Sequence, residues 1–138
     1  MEYKGYEELK CYMEARLLRK FISTLTKKFP SHERFLLIAQ IIDSSRSVTR
    51  NMAEGYGRCT YSDTRNFFIM ARGSVTETIE NLATAFDESY IALDELTEGE
   101  QKCELVFKLT NGYISYLDRP GTSKGSTSKA PNSKSQKS

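Results

Sequence analysis

The side chains best suited to chemistry stand in one block, Asn51-Met52-Ala53-Glu54-Gly55-Tyr56-Gly57-Arg58, followed at a fixed distance by Ala71-Arg72-Gly73-Ser74. An amide, a carboxylate and guanidinium groups in such proximity could bind a polar substrate and move a proton on it. The position of the carboxylate argues for a different role. Glu54 falls on the last turn of an amphipathic helix, where the helix dipole is negative and disfavours an anion. It therefore needs a cationic partner, and Arg50, Arg58 and Arg72 are the candidates. Asn51 is expected to bond the loop backbone where that helix ends. The block reads as a polar clasp around a turn, not as a catalytic carboxylate.

The second constellation is cationic. Arg16, Lys20 and Lys27 share one helical face with Arg19 beside them, Arg46 and Arg50 lie one turn apart, and Arg58 and Arg65 flank a connecting loop. Guanidinium groups match phosphate oxygens through paired hydrogen bonds. Arg16, Lys20, Arg46, Arg50, Arg58 and Arg65 are accordingly the candidate nucleic-acid contacts, with the tail lysines adding loose attraction. No aromatic platform or groove-reading motif is interleaved with them along the chain. Contact is thus expected to be backbone-driven, salt-sensitive and weakly sequence-specific.

Enzyme signatures are missing. His32 is the single histidine, and the residue three before it is Phe29, so the Glu-x-x-His pairs of di-iron bundles do not occur. No glycine-rich phosphate loop, metal-ligand spacing or nucleophile with an evident base stands in the chain. No catalytic residue, metal or cofactor is expected. Three cysteines, Cys11, Cys59 and Cys103, are widely spread and odd in number, which reads as reduced thiols.

Length and composition bound the rest. A chain of 138 residues is most simply one domain, and 38% hydrophobic residues suffice for a core. No apolar run approaches the roughly 18 residues that span a bilayer. Met1-Glu2-Tyr3-Lys4 opens polar and acidic, unlike a secretion signal, so a cytoplasmic location without membrane contact is expected. The net charge of +2 conceals segregation: residues 1–72 carry 13 Lys/Arg against 8 Asp/Glu, and residues 73–119 carry 3 against 10. Such segregation serves either an anionic partner or complementary subunit faces.

The elements that must position these groups are helices, because no strand-like alternation of useful length occurs. The spacing predicts a first helix from Tyr6 to Lys28, with Tyr6, Leu9, Met13 and Leu17 starting an apolar stripe that Leu18, Phe21, Ile22 and Leu25 widen; Pro30 stops it. Ser31 is the expected N-cap of the second helix, whose seam is Ile38, Ile41, Ser45, Val48 and Met52. Gly55 and Gly57 are expected to end it in the left-handed conformation. Ser62-Asp63 opens the third, with Phe68, Ala71, Val75, Ile79, Leu82 and Phe86 inside and an end near Tyr90. Thr97-Glu98-Gly99-Glu100 reads as a capping box before a fourth helix that buries Val106, Leu109, Tyr113 and Leu117. The expected fold is all-α: an antiparallel up-down four-helix bundle over 1–119, with a disordered Ser/Lys-rich tail over 120–138.

Gly73 falls inside the third helix, where glycine costs about 1 kcal/mol relative to alanine. Ala71 and Ser74 beside it predict a strip where another backbone comes close, with Ser44, Ser45 and Ala53 as counterparts.

Phe29-Pro30, Glu33-Arg34-Phe35, Gln40-Ile41, Ser47-Val48, the Asn51–Arg58 block, Phe67-Phe68 and Ala71-Arg72-Gly73-Ser74-Val75 with Glu77 stand in one register. They resemble the four-helix bundle proteins named after intervening sequences of bacterial large-subunit ribosomal RNA genes, a family related to the accessory variability proteins of diversity-generating retroelements. The resemblance covers about residues 3–118. It implies a homopentameric bundle with no known catalytic activity, and its retroelement relatives bind a reverse transcriptase and nucleic acid. Asn51, Glu54, Gly55, Arg58, Arg72, Gly73 and Ser74 match the family motif as structural positions. The chain departs from the family's usual pattern at Tyr12, where tryptophan is common, and at Thr49, where proline is common. Ile42 and Asp43 stand at two positions often basic in the family. The leading expectation is a non-enzymatic oligomer that binds RNA, DNA or a nucleoprotein such as a reverse transcriptase. The alternative is a protein–protein adaptor whose charge asymmetry serves assembly.

Overall fold

The computed structural model describes residues 5–119; the tail expected over 120–138 lies outside them. Four α-helices carry the structure: α1 (Lys10–Leu25), α2 (Leu37–Tyr56), α3 (Tyr61–Asp87) and α4 (Leu93–Leu117). Helix α1 packs on α2 and α4, and α3 packs on the same two, so the helices close a ring around one core. Leu18 and Ile22, Ile41, Val48 and Met52, Phe68, Val75 and Leu82, and Val106, Tyr113 and Leu117 are fully buried from the four helices in turn. No described helix is long and apolar enough to cross a membrane.

The first helix is shorter than its apolar pattern. Tyr6–Glu8 is a separate 3-10 turn, and Leu9 is extended (φ −73°, ψ 132°) and fully buried between it and α1. Burying Leu9 in the core turns the chain, and the stripe is reset around Cys11, Tyr12, Ala15, Leu18 and Ile22. Met13 and Leu17, expected inside, are consequently 45% and 50% exposed. At the other end α1 tightens into a 3-10 turn at Thr26–Lys28, and Phe29 is extended (ψ 148°) as its following proline requires.

The second helix begins later than Ser31. Ser31–Glu33 forms a 3-10 turn, and α2 starts only at Leu37. The Glu33 carboxylate satisfies that start by accepting from the Leu37 N–H at 3.1 Å. Of the expected seam, Ile41, Ser45, Val48 and Met52 are buried and Ile38 is half-buried. Helix α2 runs without a break through Thr49 to Tyr56. Its end is not left-handed: Gly55 is the penultimate helical residue and Gly57 caps the helix at φ −89°.

Thr60, two residues before the expected start, caps α3 by accepting from the Asp63 N–H at 3.0 Å. The helix ends at Asp87, short of Tyr90, and Phe86 faces outward. Helix α4 starts four residues before the Thr97–Glu100 segment, which lies within its second turn. The cap comes from Glu95, whose carboxylate accepts from the Ala92 N–H at 2.8 Å and pairs with Lys28 at 2.6 Å.

Close helix approach occurs at glycines other than Gly73. A Cβ on Gly73 would meet nothing within 4 Å, because this residue is exposed on the outer face of α3. A Cβ on Gly55 would collide with the Phe67 Cβ, and one on Gly99 would lie 2.8 Å from Leu82 Cδ1 and 3.3 Å from Phe21 Cε2. Small polar residues also join α2 to α3. Ser44 Oγ lies 2.9 Å from Thr78 Oγ1 and accepts from Asn81 at 3.3 Å, while Ser74 donates to Ser47 Oγ at 2.8 Å. Ser45 and Ala53, named with Ser44 as counterparts, have no part in these bonds; Ser45 bonds the Ile42 carbonyl on its own helix.

Candidate nucleic-acid interface

Helices α1 and α2 are both cationic on their outer faces, and a cleft of about 340 Å³ opens between them. It is lined by Arg19, Arg46, Arg50 and Thr49, with Ala53 and the rings of Tyr6 and Tyr12. Residue spacing explains the α2 wall: positions 46, 49, 50 and 53 recur every three or four residues and so share a face. Thr49 organises the cations. Its hydroxyl accepts from Arg19 Nη1 at 2.9 Å and donates to the Arg46 carbonyl at 3.1 Å. That bond sets the Arg19 guanidinium against α2 beside Arg46 and Arg50.

Arg50 lies 3.8 Å from Asp43 in a pair that is mostly exposed on both sides. Such a pair contributes little in water and an incoming phosphate can displace it. The aromatic wall comes from the start of the chain. The 3-10 turn brings Tyr6 against Tyr12, with ring centroids 4.9 Å apart and planes at 73°. The half-buried ring of Tyr6 thus lies beside the arginines, where the sequence showed no aromatic interleaved, while Tyr12 is buried in the core. Tyr6 and Arg46 are 40 positions apart in the chain. Only the packing of α1 on α2 joins them.

The remaining candidate cations are distributed elsewhere. Arg16 and Lys20 are exposed on α1 and do not line the cleft. Arg58 is committed to the α2–α3 corner: it pairs with Glu54 at 3.7 Å and lies over the Phe67 ring at 4.6 Å. Glu54 thereby takes one of its three expected partners. Arg65 pairs at 2.6 Å with Asp118, which caps the C-terminal end of α4. Arg72 donates to Asn111 Oδ1 at 2.8 Å and ties α3 to α4. Asn51, expected to bond loop backbone, instead bonds the carbonyl and hydroxyl of Ser47 one turn earlier, both at 2.9 Å. Of the motif residues, Asn51 and Ser74 therefore meet at Ser47, Gly55 sits under Phe67, and Gly73 faces away.

A model of the 23S rRNA-intervening sequence protein family matches residues 7–112. The chain belongs to this family. Tyr12, Arg19, Arg46, Thr49 and Arg50 lie inside the span matched to the 23S rRNA-intervening sequence proteins, and Tyr6 lies one residue before it. Among curated proteins none matches the chain.

A second polar cluster holds the opposite end of the bundle. The Tyr90 hydroxyl donates to Glu33 Oε2 at 2.7 Å and lies 3.5 Å from His32 Nε2. The Tyr90 hydrogen bond and the Leu37 N–H stabilise the Glu33 anion and lower its pKa, while that anion pushes the Tyr90 phenol up to about 12. The bonds join the chain before α2 to the chain after α3. Among the described residues no group of three or more His, Cys, Asp or Glu side chains is arranged to hold a metal ion.

Two signals in the sequence bore on the cleft without disclosing it. Arg19 stood only beside the basic face of Arg16, Lys20 and Lys27, and Tyr12 and Thr49 only as departures from the pattern of the resembling proteins. Their proximity becomes visible through distances between helices, which periodicity does not report.

Proposed function

We propose that this bundle is a non-catalytic, self-associating protein that binds nucleic acid or a nucleoprotein through the α1–α2 face. The observation that carries the reading is the convergence of Arg19, Arg46 and Arg50 on one cleft, with Arg16 and Lys20 exposed on the adjoining helix. Three guanidinium groups beside one another repel unless an anion joins them, and phosphate is the anion their planar forks match. The family's name, 23S rRNA-intervening sequence protein, makes RNA the first polymer to test. A reverse transcriptase carrying its RNA is the nucleoprotein that the retroelement resemblance brings forward.

The test is anisotropy of a labelled RNA duplex titrated with the full chain across a salt series. Removing two phosphate contacts in an Arg46→Ala/Arg50→Ala variant should flatten the log–log salt slope by about 1.8. Wild-type protein that retains neither RNA nor DNA at low salt sinks the reading.

Self-association is supported by Met13 and Leu17, one turn apart and half-exposed on α1, and by the opposite charge of the chain's two halves. We propose an up-down bundle that assembles as a homopentamer. Light scattering on the purified chain tests this, and a monomeric mass refutes it. Should the assembly form, fall apart in high salt and bind no polymer, the adaptor reading, in which charge pairs the subunits, takes precedence.

A further inference from the structure

We propose that Thr49 is the positioning residue of the α1–α2 face, holding Arg19 ready for a phosphate of the bound polymer while leaving its charge unneutralised. The inference rests on the nucleic-acid reading above and assigns a role within it to a residue that carries no charge. Three observations point the same way. Arg19 is half-buried on α1, and its Nη1 donates to Thr49 Oγ1 at 2.9 Å across 30 positions of sequence. The Thr49 hydroxyl gives its own proton to the Arg46 carbonyl at 3.1 Å, so its lone pairs are what it offers to Arg19. Among the described residues no carboxylate pairs with Arg19.

The choice of a hydroxyl separates this contact from a structural tie. Arg58 and Arg65 are paired with carboxylates, Glu54 and Asp118, which hold a guanidinium and offset its charge together. Arg72 has a neutral partner, Asn111, but stands on α3 and does not line the cleft. Helices α1 and α2 pack directly and bury Leu18, Ile22, Ile41 and Val48 in one core, so their joining does not depend on the Thr49 bond. What the bond adds is order. A loose arginine must give up its rotamer freedom when it meets a phosphate, and that loss weakens binding. A guanidinium already fixed through one N–H keeps its other N–H groups for the anion.

The experiment titrates a fluorescein-labelled RNA duplex with five full-length proteins across a salt series: wild type, Thr49→Val, Thr49→Ser, Arg19→Ala and the Arg19→Ala/Thr49→Val double variant. Arg19→Ala removes one phosphate contact and should flatten the log–log salt slope by about 0.9. Thr49→Val makes Arg19 order itself on binding, so affinity should fall by roughly 2- to 12-fold, with a slope no flatter than that of Arg19→Ala. Thr49→Ser keeps the hydroxyl and should bind as wild type does. On the Arg19→Ala background Thr49→Val should have no further effect, because Thr49 acts only through Arg19. A folding defect cannot imitate that pattern, since it would weaken the double variant as well. Equal loss on both backgrounds, no loss in Thr49→Val, or a Thr49→Ser as weak as Thr49→Val overturns the inference while the nucleic-acid reading stands. So does an Arg19→Ala slope equal to that of wild type. If wild type retains neither RNA nor DNA at low salt, both readings fail.

Discussion

Two glycines on neighbouring helices should respond to the same substitution with opposite signs. Gly73 lies near the middle of α3, exposed, with nothing within 4 Å of an added Cβ. Gly73→Ala should therefore gain the helix propensity difference, about 1 kcal/mol, with no steric loss. For a bundle of this size that raises Tm by roughly 3–5 °C. Gly55 has the same backbone preference, but its Cβ would collide with the Phe67 Cβ and lie 3.1 Å from Phe67 Cγ. The obstacle is the stem of a ring, not a flexible tip, so the α2–α3 corner must move. Overpacking of this kind costs about 3 kcal/mol at its upper range. Offset by the same propensity gain, Gly55→Ala should lose about 2 kcal/mol.

The shift would also disturb Arg58, which spans Glu54 and the Phe67 ring. Thermal melts followed by circular dichroism, at one fixed protein concentration because assembly shifts Tm, read both signs directly. Stabilisation by Gly55→Ala would refute the packing reasoning at the corner. Destabilisation by Gly73→Ala would refute it at α3 and would mean that another chain lies against that face, which light scattering of the variant would then register.

Other consequences follow from the polar and thiol groups. The Glu33 pKa lies below its ordinary 4.5, so its contribution is present above that value and is lost as pH falls through the folded-state pKa; Glu33→Gln should flatten that part of the acid stability profile. Tyr90 is raised from 10.0 to about 12, so the folded chain holds a proton the unfolded chain has released, and stability should fall between these values; Tyr90→Phe should remove that decline, as alkaline melts can show. Cys59 is exposed, Cys11 and Cys103 are buried, and burial pushes the Cys103 thiol up to about 12. A thiol reagent at neutral pH should label Cys59 rapidly and the other two only after denaturation, which mass spectrometry can count. Thr78→Val should cost about 0.5–1.5 kcal/mol in urea unfolding, the net worth of one hydrogen bond, because the Ser44 hydroxyl keeps the Ile41 carbonyl and Asn81 as partners; a neutral result would show that this bond is dispensable.

Helix number, helix type and most of the core were readable along the chain. Ile41, Val48, Met52, Phe68, Val75, Leu82, Val106, Tyr113 and Leu117 were all placed inside from period alone, and all are buried. The motif from Asn51 to Ser74 likewise identified the family that matches residues 7–112. These features depend on local spacing and on residue types, both of which a linear chain carries. Helix ends were less readable. Capping groups compete within a few residues of one another, so Thr60 displaced Ser62-Asp63, and Glu95 displaced the Thr97 and Glu100 pair.

Packing partners were readable only in part: Ser44 does join α3 and Glu54 does meet Arg58, but the other cross-helix contacts were not legible. Gly55 and Gly73 look alike in sequence, and their difference lies in Phe67, which meets one and not the other. The Asn51–Arg58 block looked like the place for chemistry, yet its charged groups are spent on the corner between α2 and α3. The cleft arises where α1 and α2 meet, from Tyr6, Tyr12 and Arg19 on one side and Arg46, Thr49 and Arg50 on the other. Period and composition describe each helix separately. Which residues 30 or 40 positions apart come within hydrogen-bonding or stacking distance is set by how the four helices bury their apolar faces together.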